Sequence, residues 1–232
     1  VDKCAFICEV GMNNINSYYP ISLRKSFLIV NGIDDLTPTE LEEVSIIKNN
    51  RKSDCIEICC VGSVSVRKAQ RLVIQAMAYL PPKLRQKYHL TIVGDGTDMA
   101  YCKECVSMNS MEKQVTFTGS VPNNDVYKYL AGADMFVLLS QNEGLPISII
   151  EAMRAGLAIV STNVSGIPEL VSYDNGILIE PSADAFASVL SQLGTYDWKL
   201  MGHNSRKAFE ERFTFQRMRE DYVQMINSLY EN

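Results

Sequence analysis

The sequence predicts an α/β protein: a parallel sheet wound with helices on both faces, followed by further helices at the C-terminal end. Three observations lead there. Short apolar, β-rich runs alternate with helix-length amphipathic segments at intervals of roughly 20–25 residues. Four of the runs are near-continuously apolar, as strands covered on both faces must be. Glycine directly follows the predicted strand at three of the five informative strand ends.

Taken in order, the predicted strands are Phe27–Asn31, Ile56–Val61, Leu90–Val93, Val115–Thr118, Met135–Leu139, Ala158–Ser161 and Gly176–Ile179. The predicted helices between them are Ala69–Leu80, Met99–Met108, Asn124–Ala131, Ile147–Ala155 and Ala183–Leu193. In the first of these, Leu72, Ala76, Met77 and Leu80 form one apolar stripe, and Pro81-Pro82 stops the helix. From Asp197 the pattern turns helical and charged, with helices expected over Arg206–Arg212 and Phe215–Leu229. Residues 1–25 contain one strand-like run, Ala5–Val10, then a polar stretch, and read as a lead-in from a preceding domain. Residues 26–232 make one doubly wound, Rossmann-like domain.

The 232 residues carry 22 Lys and Arg against 27 Asp and Glu, a formal charge of −5, which argues against nucleic-acid binding or an anionic-membrane footprint. With 47% hydrophobic and 21% charged residues the composition is that of a folded globular chain. No apolar run nears the ~20 residues of a membrane span; the longest uncharged stretch, between Arg154 and Glu169, contains Ser, Thr and Asn. Only five uncharged residues precede Glu9, too few for a signal-peptide core, and the chain begins with Val1, so it reads as a cut piece of something longer. Seven cysteines are too few and too scattered for a disulfide scaffold. Cys102 and Cys105 form a C-x-x-C without a second ligand pair, because neither His89 nor His203 has a partner at zinc spacing. They read as two thiols on one helical face of a reduced cytosolic protein, and no metal site is expected.

In an open α/β sheet the ligand lies beyond the carboxyl ends of the strands. The residues there are Gly62-Ser63-Val64, Gly94-Asp95-Gly96, Gly119-Ser120-Val121, Ser140–Gly144 and Thr162-Asn163. Glycine lacks a Cβ, so backbone N–H groups can approach a bulky ligand closely. Gly94-Asp95-Gly96 starts like a dinucleotide fingerprint, but Met99 holds the third glycine position, which argues against a nicotinamide dehydrogenase. The absence of a G-x-x-x-x-G-K-[ST] argues against a P-loop ATPase.

The most informative segment is Ser140–Gly156, SQNEGLPISIIEAMRAG. Pro146 fits the first helical turn and Gly156 the C-terminal cap, bounding a helix of about nine residues. The N–H groups at its start, beside Gly144 and Leu145, suit a phosphate. Glu143 precedes this helix and Glu151 lies within it. A hydrolase pair needs carboxylates about 5–9.5 Å apart. Eight residues at ~1.5 Å rise separate the Cα atoms by about 12 Å, which fits one elongated ligand better, each carboxylate accepting from a different hydroxyl pair. Arg67 and Lys68 supply cations, and a positioned ammonium stabilises the charge that builds on a departing diphosphate.

Taken together, Gly62-Ser63 with Lys68-Ala69-Gln70, Ile92–Gly96, Val115–Gly119 and Glu143–Glu151 (E-x7-E) resemble, in order and spacing, the retaining GT-B glycosyltransferases. They are similar in particular to the large bacterial family of nucleotide-sugar hexosyltransferases (glycosyl transferases group 1) of polysaccharide, lipopolysaccharide and glycolipid assembly. Asn31-Gly32-Ile33-Asp34 resembles the family's interdomain "NGID", Gly166–Glu169 its "G-x-P-E", and Phe213-Thr214-Phe215 the aromatic motif before its last helix. The resemblance spans nearly the whole chain and implies the C-terminal, donor-binding half of a GT-B fold.

It also implies roles. Glu151 would hold the ribose hydroxyls, Glu143 hydroxyls of the transferred sugar. Gly144, Leu145 and the helix opening at Pro146 would offer N–H groups to the distal phosphate and sugar. Gly62 would bring backbone to the diphosphate, Val121 would meet the base through its main chain, and Lys68 would neutralise the leaving group. Lys68 and Glu143 are thus the expected catalytic residues. Where the family usually has Arg after the first-loop glycine, this chain has Ser63, with Arg67 as the candidate replacement; Ala69 stands where the family usually has Gly, the smaller of the two changes. The implied reaction transfers a hexose from a nucleoside-diphosphate sugar, UDP- or GDP-linked, to an acceptor hydroxyl with retention, with no cofactor. The alternatives are a binding module that has lost transfer, or a GT-B sugar-nucleotide epimerase. The expected partners are the donor and an N-terminal acceptor domain whose tail end is residues 1–25. The expected location is the cytoplasm, at the inner face of the membrane where the missing half attaches.

Overall fold

The computed structural model describes residues 2–19, 25–51 and 55–230, apart from the side chain of Leu193. Six parallel strands form the main sheet: β3 (Ile56–Val61), β4 (Tyr88–Val93), β5 (Val115–Gly119), β6 (Met135–Leu138), β7 (Ala158–Thr162) and β8 (Gly176–Ile179). They lie in the order β5-β4-β3-β6-β7-β8, so the winding reverses between β3 and β6. The parallel register aligns Ile58 with Met135 and Cys59 with Phe136 across that junction.

Alternation along the strands sorts the core into two layers. One face packs Ile58, Cys60, Leu90, Ile92 and Val137 beneath helices α3 (Gln70–Tyr79), α5 (Met99–Met108) and α8 (Ala183–Ser191). The other packs Cys59, Val61, Phe136, Leu138 and Ile159 beneath α6 (Val126–Ala131), α7 (Ile147–Arg154) and α9 (Trp198–Arg212). Burying both faces of a strand is what makes these runs continuously apolar. A short helix α4 (Pro82–Arg85) follows α3, its first residue a proline whose missing N–H costs nothing at a helix start. Cys102 and Cys105 are both buried on α5, and burial pushes the Cys102 thiol up to about 12, which leaves it chemically inert.

The expected elements hold to within a residue or two, apart from α9, which begins at Trp198, eight residues before the expected Arg206, the short α4, which was not expected, and three further differences. First, Phe27–Asn31 is not part of the main sheet. The strand is β2 (Ser26–Leu28), and it pairs in parallel only with β1 (Cys4–Phe6). Second, the run Ala5–Val10 is not one strand, because α1 (Glu9–Tyr18) begins inside it. That helix start is held from far away: both carboxylate oxygens of Glu169, in the G-x-P-E segment, accept from the N–H groups of Glu9 (2.9 Å) and Val10 (3.2 Å). Third, α2 (Pro38–Asn50) lies where no element was expected, although Thr37-Pro38-Thr39-Glu40 spells a capping box. The Thr37 Oγ1 accepts from Glu40 N–H, and the Glu40 carboxylate accepts from Thr37 N–H at 2.7 Å.

The last helix, α10 (Phe215–Asn227), is locked to the segment that enters the domain. Ile33 N–H donates to Phe213 C=O (3.0 Å), and Phe215 N–H donates to Ile33 C=O (2.8 Å). A Cβ on Gly32 would lie 2.3 Å from Thr214 O, so the N-G-I-D and F-T-F segments interlock only with glycine there. The predicted boundary at residue 25 abuts residues 20–24, which lie outside the described residues. No described helix is long and apolar enough to cross a membrane.

Candidate functional site

At the reversal point, where an open α/β sheet forms its ligand crevice, the loops leaving β3 and β6 lie side by side. The first runs from Gly62 to Ala69 and is built by backbone contacts that require glycine. A Cβ on Gly94 would lie 2.1 Å from Gly62 O, and one on Gly96 would lie 2.3 Å from Val64 O. The G-D-G turn therefore seats its backbone directly on the first loop, joined by Val64 N–H to Asp95 C=O at 3.0 Å. Gln70, only 1% exposed, braces the loop from inside. Its Nε2 donates to Ser63 C=O at 3.0 Å and its Oε1 accepts from Ser65 N–H at 3.3 Å.

This scaffold aims Lys68 into the crevice. Its stem runs 3.5 Å from where a Gly62 Cβ would stand, and its Nζ lies 3.0 Å from Glu143 Oε1. Arg67 converges on the same carboxylate, with Nη1 3.3 Å from Glu143 Oε2. Ser140 Oγ donates to Glu143 Oε1 at 2.8 Å. Two further bonds stitch the loops together: Gln141 N–H to Arg67 C=O and Arg67 Nη1 to Asn142 C=O, both 2.8 Å. The side chains of Glu143 and Lys68 are 8% and 12% exposed, whereas Arg67 is 53% exposed. The adjacency of Arg67 to Lys68 in sequence thus does not send the two side chains apart.

Pro146 is the N-cap of α7 rather than part of it, and the helix runs for eight residues. Its C-terminal end closes as expected. Gly156, at φ +74°, donates to Met153 C=O, and Leu157 donates to Ala152 C=O, a Schellman arrangement. Leu145 is buried at 4% exposure with its carbonyl accepting from Asn31 Nδ2, so its side chain serves the core. Gly144 sits against Gly166, where a Cβ would meet Gly144 O at 2.1 Å. Val121 is half-buried and packs on the α6–α7 core layer, and Ser63 is exposed. The structure thus gathers Gly62, Arg67, Lys68 and Glu143 into one contact cluster with Gly144 next in chain, while among the described residues no hydrogen bond or ion pair joins Glu151 or Val121 to it.

The two glutamates differ electrostatically. Burial alone would raise the Glu143 carboxyl, but hydrogen bonds from Lys68 and Ser140 and the charges of Lys68 and Arg67 outweigh it and hold the group below its ordinary value. Burial raises the Glu151 carboxyl, with only a weak opposing effect of Arg154, and among the described residues no hydrogen bond or ion pair reaches it. A half-buried carboxylate without a partner among the described residues is a cost to folding and a mark of a binding group. The consequences for stability have opposite signs. Glu143 stabilises the fold above about pH 4.5 and loses that contribution as pH falls through its lowered value. Glu151 favours the fold below about 4.5 and opposes it once the pH rises past its raised value. Glu151→Gln is therefore expected to raise the urea midpoint at neutral pH, the gain shrinking as the pH is lowered through 4.5. A gain that stays constant with pH would show that ionisation of Glu151 is not its source.

Backbone strain gathers at the same place. Of the three described non-glycine residues with positive φ, Ala69 (+54°) follows Lys68, and Ser165 (+48°) donates its hydroxyl to Asn142 Oδ1 at 2.6 Å, one residue from Glu143. Alanine at position 69 is thus no minor change: it stands in the left-handed conformation that glycine adopts freely. Ala69→Gly is expected to stabilise the protein by about 0.5–1 kcal/mol, relief of strain offset in part by chain entropy. A fall in the urea midpoint would contradict this.

The roles that sequence reasoning missed belong to bracing residues. Gln70, Asn31 and Glu169 each stood inside a quoted motif, yet nothing in a linear spacing says that their side chains bond to backbone five to 160 residues away.

Fold and site define a doubly wound α/β domain in which Arg67, Lys68 and Glu143 meet where the strand order reverses. The chain belongs to the glycosyl transferases group 1 family, whose model matches residues 42–211. It is 25% identical over 213 residues to a phosphatidylinositol N-acetylglucosaminyltransferase subunit from Arabidopsis thaliana, covering 90% of this chain and 46% of that protein. It is 31% identical over 146 residues to the amylovoran biosynthesis glycosyltransferase AmsK of Erwinia amylovora, covering 60% and 36%. The chain thus spans less than half the length of these relatives. In structure it resembles Anabaena Alr3699/HepE, solved in complex with UDP, with a TM-score of 0.84 at 20% identity over 98% of this chain and 64% of that one. That likeness establishes the GT-B fold.

Proposed function

We propose that this chain is the donor-binding half of a retaining glycosyltransferase that acts in the cytoplasm. In this reading it presents a nucleoside-diphosphate hexose to an acceptor hydroxyl during polysaccharide or glycolipid assembly. The observation that carries the reading is the meeting of Lys68 and Glu143 at 3.0 Å where the strand order reverses. A cation and a hydroxyl acceptor side by side match the two ends of a phosphate–sugar linkage.

When the bond between the sugar carbon and the diphosphate oxygen breaks, negative charge builds on that oxygen, and the acceptor hydroxyl oxygen bonds to the same carbon as its proton passes to the departing diphosphate. Lys68, whose side chain is 12% exposed, stabilises the growing charge, and the N–H groups of Ile147 and Ser148 at the start of α7, which no described side chain caps, add to it. Glu143 accepts from sugar hydroxyls, Glu151 from the ribose, and Val121 meets the base through its main chain. The HepE structure, solved in complex with UDP, supports a nucleotide in a fold of this shape.

A second reading, a module that binds a nucleotide sugar without transferring it, is favoured by Ser63, which is exposed and offers no charge to a phosphate. Isothermal titration with UDP, GDP and ADP and their sugars tests the shared core of both. Binding of at least one is expected, and failure of all to bind folded protein would overturn the proposal. Transfer by the intact protein, lost on Glu143→Ala, separates an enzyme from a module.

A further inference from the structure

We propose that Glu143 is a built-in occupant of the anion seat: with no donor bound, its carboxylate holds Arg67 and Lys68 together, and an arriving diphosphate displaces it so that both cations form the clamp. The inference rests on the donor-site reading and adds to it an internal competitor for the two cations. The geometry is that of a bound anion already in place. One carboxylate oxygen takes Lys68 at 3.0 Å, and the other takes Arg67 at 3.3 Å. Two non-bridging phosphate oxygens would divide the same two cations in the same way.

Contacts other than Glu143 hold the backbone and stem of Lys68 and the guanidinium of Arg67. Lys68 lies along Gly62, and its own N–H donates to Ser65 Oγ at 3.3 Å. The Arg67 carbonyl accepts from Gln141 N–H, and its guanidinium donates to Asn142 C=O, so it stays at the crevice when the carboxylate leaves. Two positive charges face one negative one, leaving a net positive seat. Its outer side is open through the half-exposed Arg67, and its inner side is closed over Lys68. An incoming diphosphate, more highly charged than one carboxylate, exchanges one buried anion for another and so avoids burying an uncompensated charge. The released carboxylate is then free to accept from the sugar hydroxyls next to the phosphate, which ties its release to arrival of a complete donor.

The test reads a sign. With UDP, GDP and ADP titrated into each protein, Glu143→Gln is expected to bind the best of them about three- to tenfold more tightly than the parent. Arg67→Ala is expected to bind it more weakly by a similar factor, and adding Arg67→Ala to Glu143→Gln should shrink the gain. Ser140→Ala, which loosens Glu143 without removing it, should shift affinity in the same direction as Glu143→Gln but less, and it serves if Glu143→Gln fails to fold. Unchanged or weaker nucleotide binding in the folded glutamate or serine variant would overturn the proposal while leaving the donor-site reading intact. Absence of nucleotide binding in parent and variants alike would instead overturn that reading and this inference with it.

Discussion

Lys68→Ala is expected to weaken binding of the preferred nucleoside diphosphate by about 10- to 100-fold, the loss of one charge-assisted contact to phosphate from a side chain only 12% exposed. The protein should also lose about 1–3 kcal/mol of stability, because Glu143, 8% exposed on its side chain, keeps only Ser140 and the half-exposed Arg67. The two losses are separable. Lys68→Met combined with Glu143→Gln removes the orphaned charge and should recover the stability, while affinity recovers only by the share of the Glu143→Gln gain that Arg67 carries. Titration and urea unfolding of the single and double variants measure both. Affinity within twofold of the parent would show that Lys68 holds the loop and not the ligand.

Gly94→Ala is expected to cost about 3–5 kcal/mol, enough to unfold much of the population of a marginally stable domain. Two independent penalties meet there. The residue stands at φ +134°, where a side chain is strained, and its Cβ would lie 2.1 Å from Gly62 O, a backbone atom that no rotamer change can move aside. Gly119→Ala supplies the control. Its φ of +69° brings strain alone, because nothing lies within 4 Å of its Cβ position, and about 1–2 kcal/mol is expected. Urea midpoints for the pair decide the matter, and equal losses would mean that the close approach of Gly94 to the first loop relaxes freely. Nucleotide affinity of any folded Gly94→Ala protein should also fall, since displacing Gly62 displaces the surface along which Lys68 lies.

Much of the molecule is legible without coordinates. Strands such as Ile56–Val61 and Gly176–Ile179 show as continuous apolar runs, and a strand buried on both faces cannot be written otherwise. The end of α7 at Gly156 is legible because left-handed closure of a helix selects glycine. The membership of β2 is not. An apolar run records that a strand is buried, not which strand it pairs with, and β2 joins β1 instead of the main sheet. The start of α1 is equally hidden, because the acceptors for its first N–H groups come from Glu169, 160 residues away. Helix α2 announces itself only through its capping box, having no buried residue to give it an apolar stripe.

By itself the sequence determined the α/β class, most strands and helices of the domain, and the residue types of the candidate site, because periodicity, capping and glycine placement are local properties of the chain. Tertiary structure alone decided that Arg67 and Lys68 close on one carboxylate, that Gly94 and Gly96 exist to seat one loop on another, and that Ala69 carries strain. Each of those depends on the separation of atoms far apart in sequence, and that separation is set only when the strand order reverses and brings the ends of β3 and β6 together.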